Sequence, residues 1–376
     1  MADTRQLCGC FSRGRAAVLA LALSAVACAP APAQLSHHRT TLDIDGFLAD
    51  IAVTDVNADG HLDLLVAGGG VVVLEGDGTG AFRRQERVWP AGDNPAAIAT
   101  GDLDGDGALD AVVANHDTPY VTILLGDGRG GFLSRRTTRI EIGVDPHPHA
   151  VALADMDRDG HLDLLVDDRG RHAVRLLRRA GDGRFRPPGD AIEVGGDPYR
   201  GFALGDVNGD GVLDVATPNP RSIAVQLGDG TGQFEPALDS PIEHVAPFVV
   251  AFADLDGDGY PDLVAGSEGR DLWAFAGDGT GAFTAALGSP WRIGEGGKKI
   301  GTGDLDGDGY EDAVVTSWFA DHVAVLLGGA DAATVHSLPA GENPWGVAIA
   351  DLNGDGLDDV VVANAGDETL DVWISR

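Results

Sequence analysis

An acidic nine-residue pattern, D-x-[DN]-x-D-G-x-x-D, occurs seven times along the sequence. Successive copies start 47 to 53 residues apart, the first at Asp55 and the last at Asp351. A regular period of about 50 residues is the mark of a repeat architecture, in which one supersecondary unit recurs and neighbouring units bury each other's apolar faces. The chain is therefore expected to consist of seven copies of one structural unit.

Each copy carries the chemistry of a calcium loop. Calcium takes about six to eight oxygen ligands from carboxylates, carbonyl groups and water. Side chains at positions 1, 3 and 5 line one side of a tight loop, and Gly at position 6 permits the turn that presents the carbonyl of position 7. Asp at position 9 closes the far side. The first half resembles an EF-hand loop, but the flanking segments are not helical.

The predicted calcium ligands are the residues at these five positions in all seven loops. Position 1 comprises Asp55, Asp102, Asp155, Asp206, Asp254, Asp304 and Asp351, and position 3 comprises Asn57, Asp104, Asp157, Asn208, Asp256, Asp306 and Asn353. Position 5 comprises Asp59, Asp106, Asp159, Asp210, Asp258, Asp308 and Asp355. Position 7 comprises His61, Ala108, His161, Val212, Tyr260, Tyr310 and Leu357, and position 9 comprises Asp63, Asp110, Asp163, Asp214, Asp262, Asp312 and Asp359. We expect up to seven calcium ions. The alternative is a set of acidic turns without metal, in which unpaired carboxylates would repel one another.

The segments around the loops are typical of β-strands. A short run of small apolar residues precedes each loop, and a buried-strand run such as LLVA (64–67) follows it. A further β-rich segment comes next, and five repeats then carry a glycine-rich hairpin turn into a fourth strand. These turns end at Phe82, Phe132, Phe185, Phe234 and Phe283. Four short strands per repeat predict an all-β, seven-bladed β-propeller with four-stranded blades.

The two ends of the repeat region predict how the ring closes. The last repeat stops at its third strand, LDVWISR (370–376), whereas a strand-like stretch, HHRTTLDI (37–44), precedes the first loop. The N-terminal strand is therefore expected to become the outer strand of the last blade. Repeat 6 departs from the others because GGADAATV (328–335) replaces its glycine-rich turn, which leaves the local hairpin in doubt.

The N-terminus is typical of an export signal. A basic segment precedes a 12-residue apolar run (16–27) that is too short to span a bilayer. Two cleavage sites compete: Ala31-Pro32-Ala33 suits ordinary signal peptidase, whereas Ala25-Val26-Ala27-Cys28 resembles a bacterial lipobox, in which Cys28 would carry a lipid anchor. We therefore predict a signal peptide over 1–27 (or to 33), a linker over 28–36 and the propeller over 37–376. The destination would be the periplasm, the outer membrane as a lipoprotein, or the extracellular space.

Charge and cysteine content narrow the function. With 59 acidic against 26 basic residues, the net charge of −33 argues against general nucleic-acid binding. A solvated, halophile-like surface is the alternative explanation of this acidity. All three cysteines lie in or at the edge of the export signal, so the propeller itself has no disulfide.

On these motifs the repeat resembles the FG-GAP/VCBS type, found in the N-terminal propellers of integrin α-chains and in many exported bacterial proteins. The resemblance covers essentially all of residues 37–376. It implies that each metal loop joins the first and second strands of a blade, on the face opposite the usual ligand face. It does not settle function, because such propellers serve adhesion, lectin activity and, less often, lyase-type catalysis.

The face opposite the loops concentrates cationic and aromatic residues in blades 3 to 7. The predicted ligand-binding residues are His149, Tyr199, Arg200, Phe248, Lys298, Lys299, Trp318 and Trp345. Other residues of the same connections include His116, Asp117 and His147. The alternative is that these are freely varying surface loops.

Three kinds of function fit this sequence. We expect a binding or adhesion module for a glycan or an extracellular partner protein, including an anionic one. A lyase acting on uronic-acid sugars is the alternative, with a histidine or tyrosine as base and arginine or lysine neutralising the carboxylate. A purely structural role is the third. The sequence lacks the serine-hydrolase, zinc-protease and phosphate-loop motifs and offers no cysteine nucleophile in the mature chain, so no catalytic residue is assigned.

Overall fold

The computed structural model describes residues 35–376, apart from 135–137, 143–146, 180–183, 188, 199–200, 244, 295 and 331–332. Residues 34–376 form one compact unit. The predicted signal peptide, including Cys28, lies outside the described residues, as do Tyr199 and Arg200. Within the described part of the chain, no helix is both long enough and apolar enough to cross a membrane.

The described residues form seven antiparallel sheets of four or five strands each, arranged as the blades of a propeller. Blade 1 contains β2 (Leu48–Thr54), β3 (Asp63–Gly68), β4 (Val71–Gly76) and β5 (Phe82–Trp89), and blade 2 contains β6 (Pro95–Gly101), β7 (Asp110–Asn115), β8 (Tyr120–Leu124) and β9 (Thr138–Glu141). Blade 3 contains β10 (Val151–Ala154), β11 (Asp163–Asp168), β12 (Ala173–Leu177) and β13 (Asp190–Glu193), with a 3₁₀ turn at Arg169–Arg171. Blade 4 contains β14 (Ala203–Gly205), β15 (Asp214–Asn219), β16 (Ser222–Gly228), β17 (Phe234–Pro236) and β18 (Ile242–Glu243).

The remaining blades follow the same order. Blade 5 contains β19 (Pro247–Ala253), β20 (Asp262–Ser267), β21 (Asp271–Gly277), β22 (Phe283–Ala285) and β23 (Trp291–Arg292), and blade 6 contains β24 (Gly297–Gly303), β25 (Asp312–Ser317), β26 (His322–Leu327) and β27 (Thr334–Pro339). Blade 7 contains β28 (Pro344–Ala350), β29 (Asp359–Asn364), β30 (Thr369–Ser375) and β1 (His37–Asp43). The prediction of a seven-bladed, all-β propeller is confirmed.

The N-terminal strand closes the ring, as predicted. β1 pairs antiparallel with β30 over its whole length, from His37 opposite Ser375 to Asp43 opposite Thr369. The Arg39 guanidinium donates two hydrogen bonds to the carboxylate of Asp371, which is fully buried. Blade 7 is therefore assembled from both ends of the propeller region.

The hydrophobic core lies between the blades rather than inside them. All six residues of β3 are buried, and because side chains alternate along a strand, successive residues face different neighbours. Leu64 and Val66 pack in a cluster with blade 7, whereas Leu65 and Ala67 pack in a cluster with blade 2. Seven such clusters exist among the described residues, one for each pair of adjacent blades.

Crowding between adjacent blades explains the glycine that precedes two of the acidic loops. A Cβ atom added at Gly205 would lie 2.8 Å from the ring of Phe252 on the next blade, and one at Gly101 would lie 2.5 Å from Leu162. Contacts this short essentially do not occur in real structures, so a larger residue would require the Phe252 ring to shift at the first position and the end of the Leu162 side chain to rotate at the second.

The outer strands differ from the expected pattern in four blades. In blades 2 and 3, Phe132 and Phe185 form single bridges, and the fourth strand begins only at Thr138 and Asp190, because these repeats carry longer connections. In blades 4 and 5 the outer edge is split into two short strands that pair with the same third strand. Blade 6 keeps its hairpin despite the altered turn, since β26 and β27 pair at six positions.

Candidate functional site

The direction of the innermost strands separates two faces of the propeller. β2 ends at Thr54, immediately before the first residue of an acidic loop, and the other six innermost strands end in the same way. The acidic loops therefore share one face, here called the loop face. The innermost strands begin at the opposite end, where they surround a cavity of about 460 Å³, here called the mouth.

Each acidic loop folds as a series of turns in which carboxylates accept backbone hydrogen bonds. In blade 5 the two oxygens of Asp254 accept from the amides of Gly257 (2.8 Å) and Gly259 (3.0 Å). Asp256 accepts from the amide of Asp258, whose carboxylate in turn accepts from Tyr260. Local backbone amides therefore offset part of the mutual repulsion that these carboxylates would have without a metal.

The carboxylates nevertheless converge. In four loops, three carboxylate groups each place an oxygen within 4.8 Å of the others. The groups are Asp102, Asp104 and Asp110; Asp155, Asp157 and Asp163; Asp254, Asp256 and Asp262; and Asp304, Asp306 and Asp308. All donors are oxygens, which are the ligands of hard divalent cations such as calcium. The loop face thus carries repeated acidic clusters with the chemistry and spacing to hold a cation.

The aspartate at position 9 has a structural role that the sequence pattern did not reveal. Asp312 is buried, and its two oxygens accept hydrogen bonds from the amide of Leu305 (2.9 Å), next to position 1, and of Gly328 (2.8 Å), after the third strand. The same pair of bonds recurs in all seven blades, at Asp63, Asp110, Asp163, Asp214, Asp262, Asp312 and Asp359. This residue joins the loop to the body of its blade.

Burial perturbs these carboxyl groups. Removal from water raises the pKa of Asp312 to about 7, and the backbone hydrogen bonds offset only part of that rise. The same cause raises the pKa to about 6 at position 9 of five other loops, namely at Asp110, Asp163, Asp214, Asp262 and Asp359. Repulsion from the loop carboxylates contributes to each shift, so a bound cation would favour the ionised form.

The mouth brings together most of the predicted ligand-binding residues. His149, Lys298, Lys299, Trp318 and Trp345 all line its cavity. Phe248 is nearly fully buried, and its ring centroid lies 5.9 Å from Lys298 Nζ. These side chains come from blades 3, 5, 6 and 7, so the cavity depends on the closed ring.

Aromatic rings surround Lys298. Its Nζ lies 3.5 Å from the ring centroid of Trp345 and 4.5 Å from that of Trp318, and the residue is only 7% exposed. The rings continue outwards, because Phe47 contacts Trp345 edge-on and Phe319 stacks on Trp318, with centroids 5.1 and 5.3 Å apart. Phe319 is 71% exposed. The ammonium group and the rings attract one another, and together they form an aromatic lip at the mouth.

Lys299 enters the mouth as half of an ion pair. Its ammonium group contacts the carboxylate of Asp50, a buried residue of blade 1. Asp50 also accepts a hydrogen bond of 3.1 Å from the amide of Ile98 in blade 2. We expected Lys299 to supply positive charge to a ligand, but Asp50 balances that charge in the structure.

Histidines form the other side of the mouth. The ring centroids of His116 and His147 are 4.4 Å apart, and those of His116 and His149 are 4.8 Å apart. His116 Nδ1 lies 2.6 Å from the carboxylate of Asp117, and this hydrogen bond lowers the pKa of Asp117. The amide of His149 donates to the buried carboxylate of Asp167, at 2.8 Å.

The sequence analysis missed Phe47 and Asp50, which line the mouth, and Asp167, the buried residue that accepts a hydrogen bond from the amide of His149. Phe47 precedes the first innermost strand and gave no signal of its own. Asp50 did carry one, because it is a carboxylate within a mostly apolar strand run, and a buried charge requires a partner. Asp167 carried a weaker one, since it follows three apolar residues but is itself followed by Asp168.

Comparison with known proteins identifies the repeat. The profile of the FG-GAP-like repeat matches six segments, residues 55–113, 102–166, 168–217, 215–265, 254–315 and 304–362. The chain is 28% identical over 206 residues to integrin alpha-IIb of Homo sapiens, a match that covers 46% of this chain and 20% of the integrin. It is 29% identical over 139 residues to cartilage acidic protein 1 of Xenopus tropicalis, covering 35% of this chain and 21% of that protein. The chain thus spans about a fifth of these relatives.

Solved structures share the fold at low identity. BBS1N, in its complex with ARL6DN, superposes with a TM-score of 0.64 at 12% identity, covering 91% of this chain and 97% of that one. A lectin of Agrocybe aegerita described as recognising non-reducing terminal N-acetylglucosamine gives a TM-score of 0.56 at 19% identity, covering 88% and 86%. Such identities show a common fold alone. Since the repeat profile matches most of the chain and every blade carries the acidic loop, the chain belongs to the FG-GAP-like repeat family, with an integrin-like seven-bladed propeller.

Proposed function

We propose that this protein is an exported, calcium-loaded propeller that binds a glycan or an extracellular partner protein at its mouth. The observation that carries the proposal is the aromatic lip, in which Trp318 and Trp345 enclose Lys298 at the edge of a cavity. Aromatic rings on one side and hydrogen-bonding groups on the other are what a ligand with an apolar face and polar edges requires.

The size and composition of the mouth support this proposal. A volume of about 460 Å³ falls within the range of small-ligand pockets. The apolar face of a sugar ring, or an apolar side chain of a partner, would pack on the rings of Trp318 and Trp345. Lys298 and Lys299 would meet an anionic substituent, although Asp50 already balances the charge of Lys299.

Binding is tested with an array of neutral and uronic-acid glycans, alongside pull-down from extracellular extracts with mass-spectrometric identification. Trp345→Ala and Trp318→Ala should each weaken the wild-type signal about tenfold or more, whereas Leu287→Ala, at a residue 74% exposed and outside the mouth, should not. Retained binding by both tryptophan variants, or absence of any ligand in both assays, would overturn the proposal. A glycan signal identifies a lectin, and a specific protein partner identifies an adhesion module.

Calcium is proposed for the acidic loops. The donor set contains only oxygens, and in four loops the donors already converge within 4.8 Å. Calcium tolerates irregular shells of many oxygens, whereas magnesium demands a near-ideal octahedron and retains its water, so the donor set favours calcium. The bound ions would neutralise the carboxylates and fix the loops. They would lie on the face opposite the mouth and would not contact the ligand.

A lyase is the second candidate, favoured by the presence of His149 and Lys298 in the same cavity. His149 would remove the proton beside a uronate carboxylate while the glycosidic oxygen leaves, and Lys298 would neutralise the carboxylate. If the protein is a lyase, incubation with polyuronides should yield unsaturated products, and His149→Ala should abolish their formation. Binding without any product leaves the binding module as the function.

Export is proposed from the N-terminal sequence. Lipidation at Cys28 and cleavage after Ala33 predict different fates for the mature protein. Cys28→Ser should release the protein from the membrane fraction in the first case and leave its distribution unchanged in the second. Retention of both proteins in the cytoplasm would contradict export altogether.

A further inference from the structure

Two histidines and an aspartate meet at the rim of the mouth, where blade 2 approaches blade 3. His116 and Asp117 follow β7, and His147 precedes β10. Each of the three side chains offers one ligand atom within 4.8 Å of the other two. This group lies apart from the acidic loops, because it belongs to the connections at the opposite ends of the strands.

The backbone holds the three residues in place. The amide of His116 donates to the carbonyl of Asn94, at 2.8 Å, and the Asn94 side chain approaches the carboxylate of Asp117 at 3.3 Å. His147 Nδ1 lies 3.3 Å from the carbonyl oxygen of His116. His147 also has a φ of +136°, a conformation that costs energy for a residue with a side chain. These contacts position the three side chains before any ligand arrives.

The donor set differs in kind from that of the loops. The loops offer oxygens alone, whereas this group offers two imidazole nitrogens and one carboxylate oxygen. Imidazole nitrogen favours borderline-soft divalent metals such as zinc, whereas calcium is bound by oxygen ligands. We propose that His116, His147 and Asp117 form a binding site for a divalent transition metal of the zinc class, separate from the calcium loops.

The separation of the groups is compatible with such an ion. Tetrahedral zinc, with bonds of about 2.0–2.2 Å, spaces its ligands by roughly 3.3–3.6 Å. Donors that already lie within 4.8 Å of one another need only small side-chain rotations to reach it. His116 Nδ1 and Asp117 Oδ1 are 2.6 Å apart, within hydrogen-bonding distance, and the metal would bind between them in place of the hydrogen bond.

Three protein ligands leave at least one coordination position for another group. The side chains of His116 and Asp117 are 31% and 52% exposed, so the site is open to solvent. His116 also lines the cavity of the mouth. His149 is not included, because its Nδ1 is directed to Asp167, 3.6 Å from the carboxylate. Binding of a metal by these three residues does not require a ligand in the mouth.

The test is a titration of the untagged full chain with zinc chloride, followed by calorimetry, in excess calcium so that the acidic loops are occupied. We expect one micromolar or tighter equivalent that magnesium does not displace. His147→Ala and Asp117→Asn should each weaken this equivalent about tenfold or more. His336→Ala is the matched control, because His336 is an exposed histidine of β27 in blade 6.

A second measurement separates loss of the site from loss of the fold. Cobalt, which replaces zinc in such sites, should give visible absorption bands in the wild type and in His336→Ala but not in His147→Ala. Melting in calcium should be the same for all variants, and Asp117→Asn provides the nearly isosteric case. Zinc binding that is absent, or that survives both His147→Ala and Asp117→Asn in folded protein, would overturn the proposal.

Discussion

Arg39 and Asp371 are separated by 332 positions in the sequence, yet the guanidinium of Arg39 donates hydrogen bonds of 2.8 and 2.7 Å to the carboxylate of Asp371. Thr41 and Asn364 donate to the same carboxylate, at 2.7 and 2.8 Å. Because Asp371 is fully buried, it requires these donors. The Asp371 side chain therefore links β1, through Arg39 and Thr41, to the strands of blade 7.

Loss of this fastening should destabilise the ring. Arg39→Ala should lower the free energy of unfolding by about 2–3 kcal/mol, since it leaves a buried carboxylate short of its charged partner. Arg83→Ala, which removes an ion pair to Glu75 from a side chain 74% exposed, should cost at most about 1 kcal/mol. Urea denaturation compares the two. Equal costs would show that the Arg39 pair does not secure the closure.

Removal of the whole closing strand tests the same feature more severely. Deletion of residues 37–43 leaves β30 as an open edge, which is a template for pairing with other chains. The shortened protein should aggregate, as measured by size-exclusion chromatography. A soluble monomer with wild-type melting would contradict a closing role for β1.

Calcium should stabilise the protein through many weak sites. At dissociation constants of about 10⁻⁴–10⁻³ M, millimolar calcium gives roughly 0.4–1.4 kcal/mol per loop. Addition of chelator should therefore lower the melting temperature markedly, and Asp256→Asn should remove about one calcium equivalent by calorimetry. Asp278→Asn, at an aspartate in a glycine-rich turn beside the loop, is the control and should remove none. Melting that is indifferent to chelator at moderate salt would exclude the metal.

The position 9 aspartate should matter even without metal. In chelator, Asp312→Ala strands two buried backbone amides, those of Leu305 and Gly328, at about 1–3 kcal/mol each. Asp308→Ala removes an exposed loop carboxylate that accepts one hydrogen bond, from the amide of Tyr310, but that also repels Asp306. It should therefore destabilise the metal-free protein much less than Asp312→Ala does. Chemical denaturation in chelator distinguishes these outcomes. A cost for Asp308→Ala as large as that for Asp312→Ala would contradict the structural role.

The stability of the metal-free protein should rise as the pH falls from 7.5 to 5. Burial raises the folded pKa of Asp312 to about 7 and that of Asp110 to about 6, above the ordinary value of 3.8. Between these values the folded state binds more protons than the unfolded state, so acidification favours folding. Urea midpoints in chelator at the two pH values measure this. A lower midpoint at pH 5 would show that other groups dominate the titration.

The sequence was sufficient for the fold because the same signals recur in every repeat. The loop pattern, the small residue before Asp102 or Asp206, and the incomplete last repeat each correspond to a feature of the blades. The residues that repeat are those that pack against the equivalent residues of a neighbouring blade. A signal that is weak in one repeat becomes strong because it occurs seven times.

The mouth was only partly predictable, since its residues do not repeat. The sequence assigned His149, Lys298 and Trp345 to one face, and all three line the mouth. It could not indicate that Asp50 would balance Lys299 or that aromatic rings would surround Lys298. Pairings of this kind arise between distant blades, and no spacing along the chain encodes them.

The placement of every described hydrophobic cluster between two blades has a consequence for how this protein can evolve. No blade is stabilised by a hydrophobic cluster of its own. Each blade contributes half of two different clusters, as blade 1 does through Leu64 and Leu65 of β3. A substitution such as Leu65→Ala should therefore weaken the packing of blade 2 as much as that of blade 1. Gain or loss of a blade would require both of the flanking interfaces to change simultaneously, so ring closure keeps the number of blades constant. The residues of the mouth, in contrast, can be substituted one at a time.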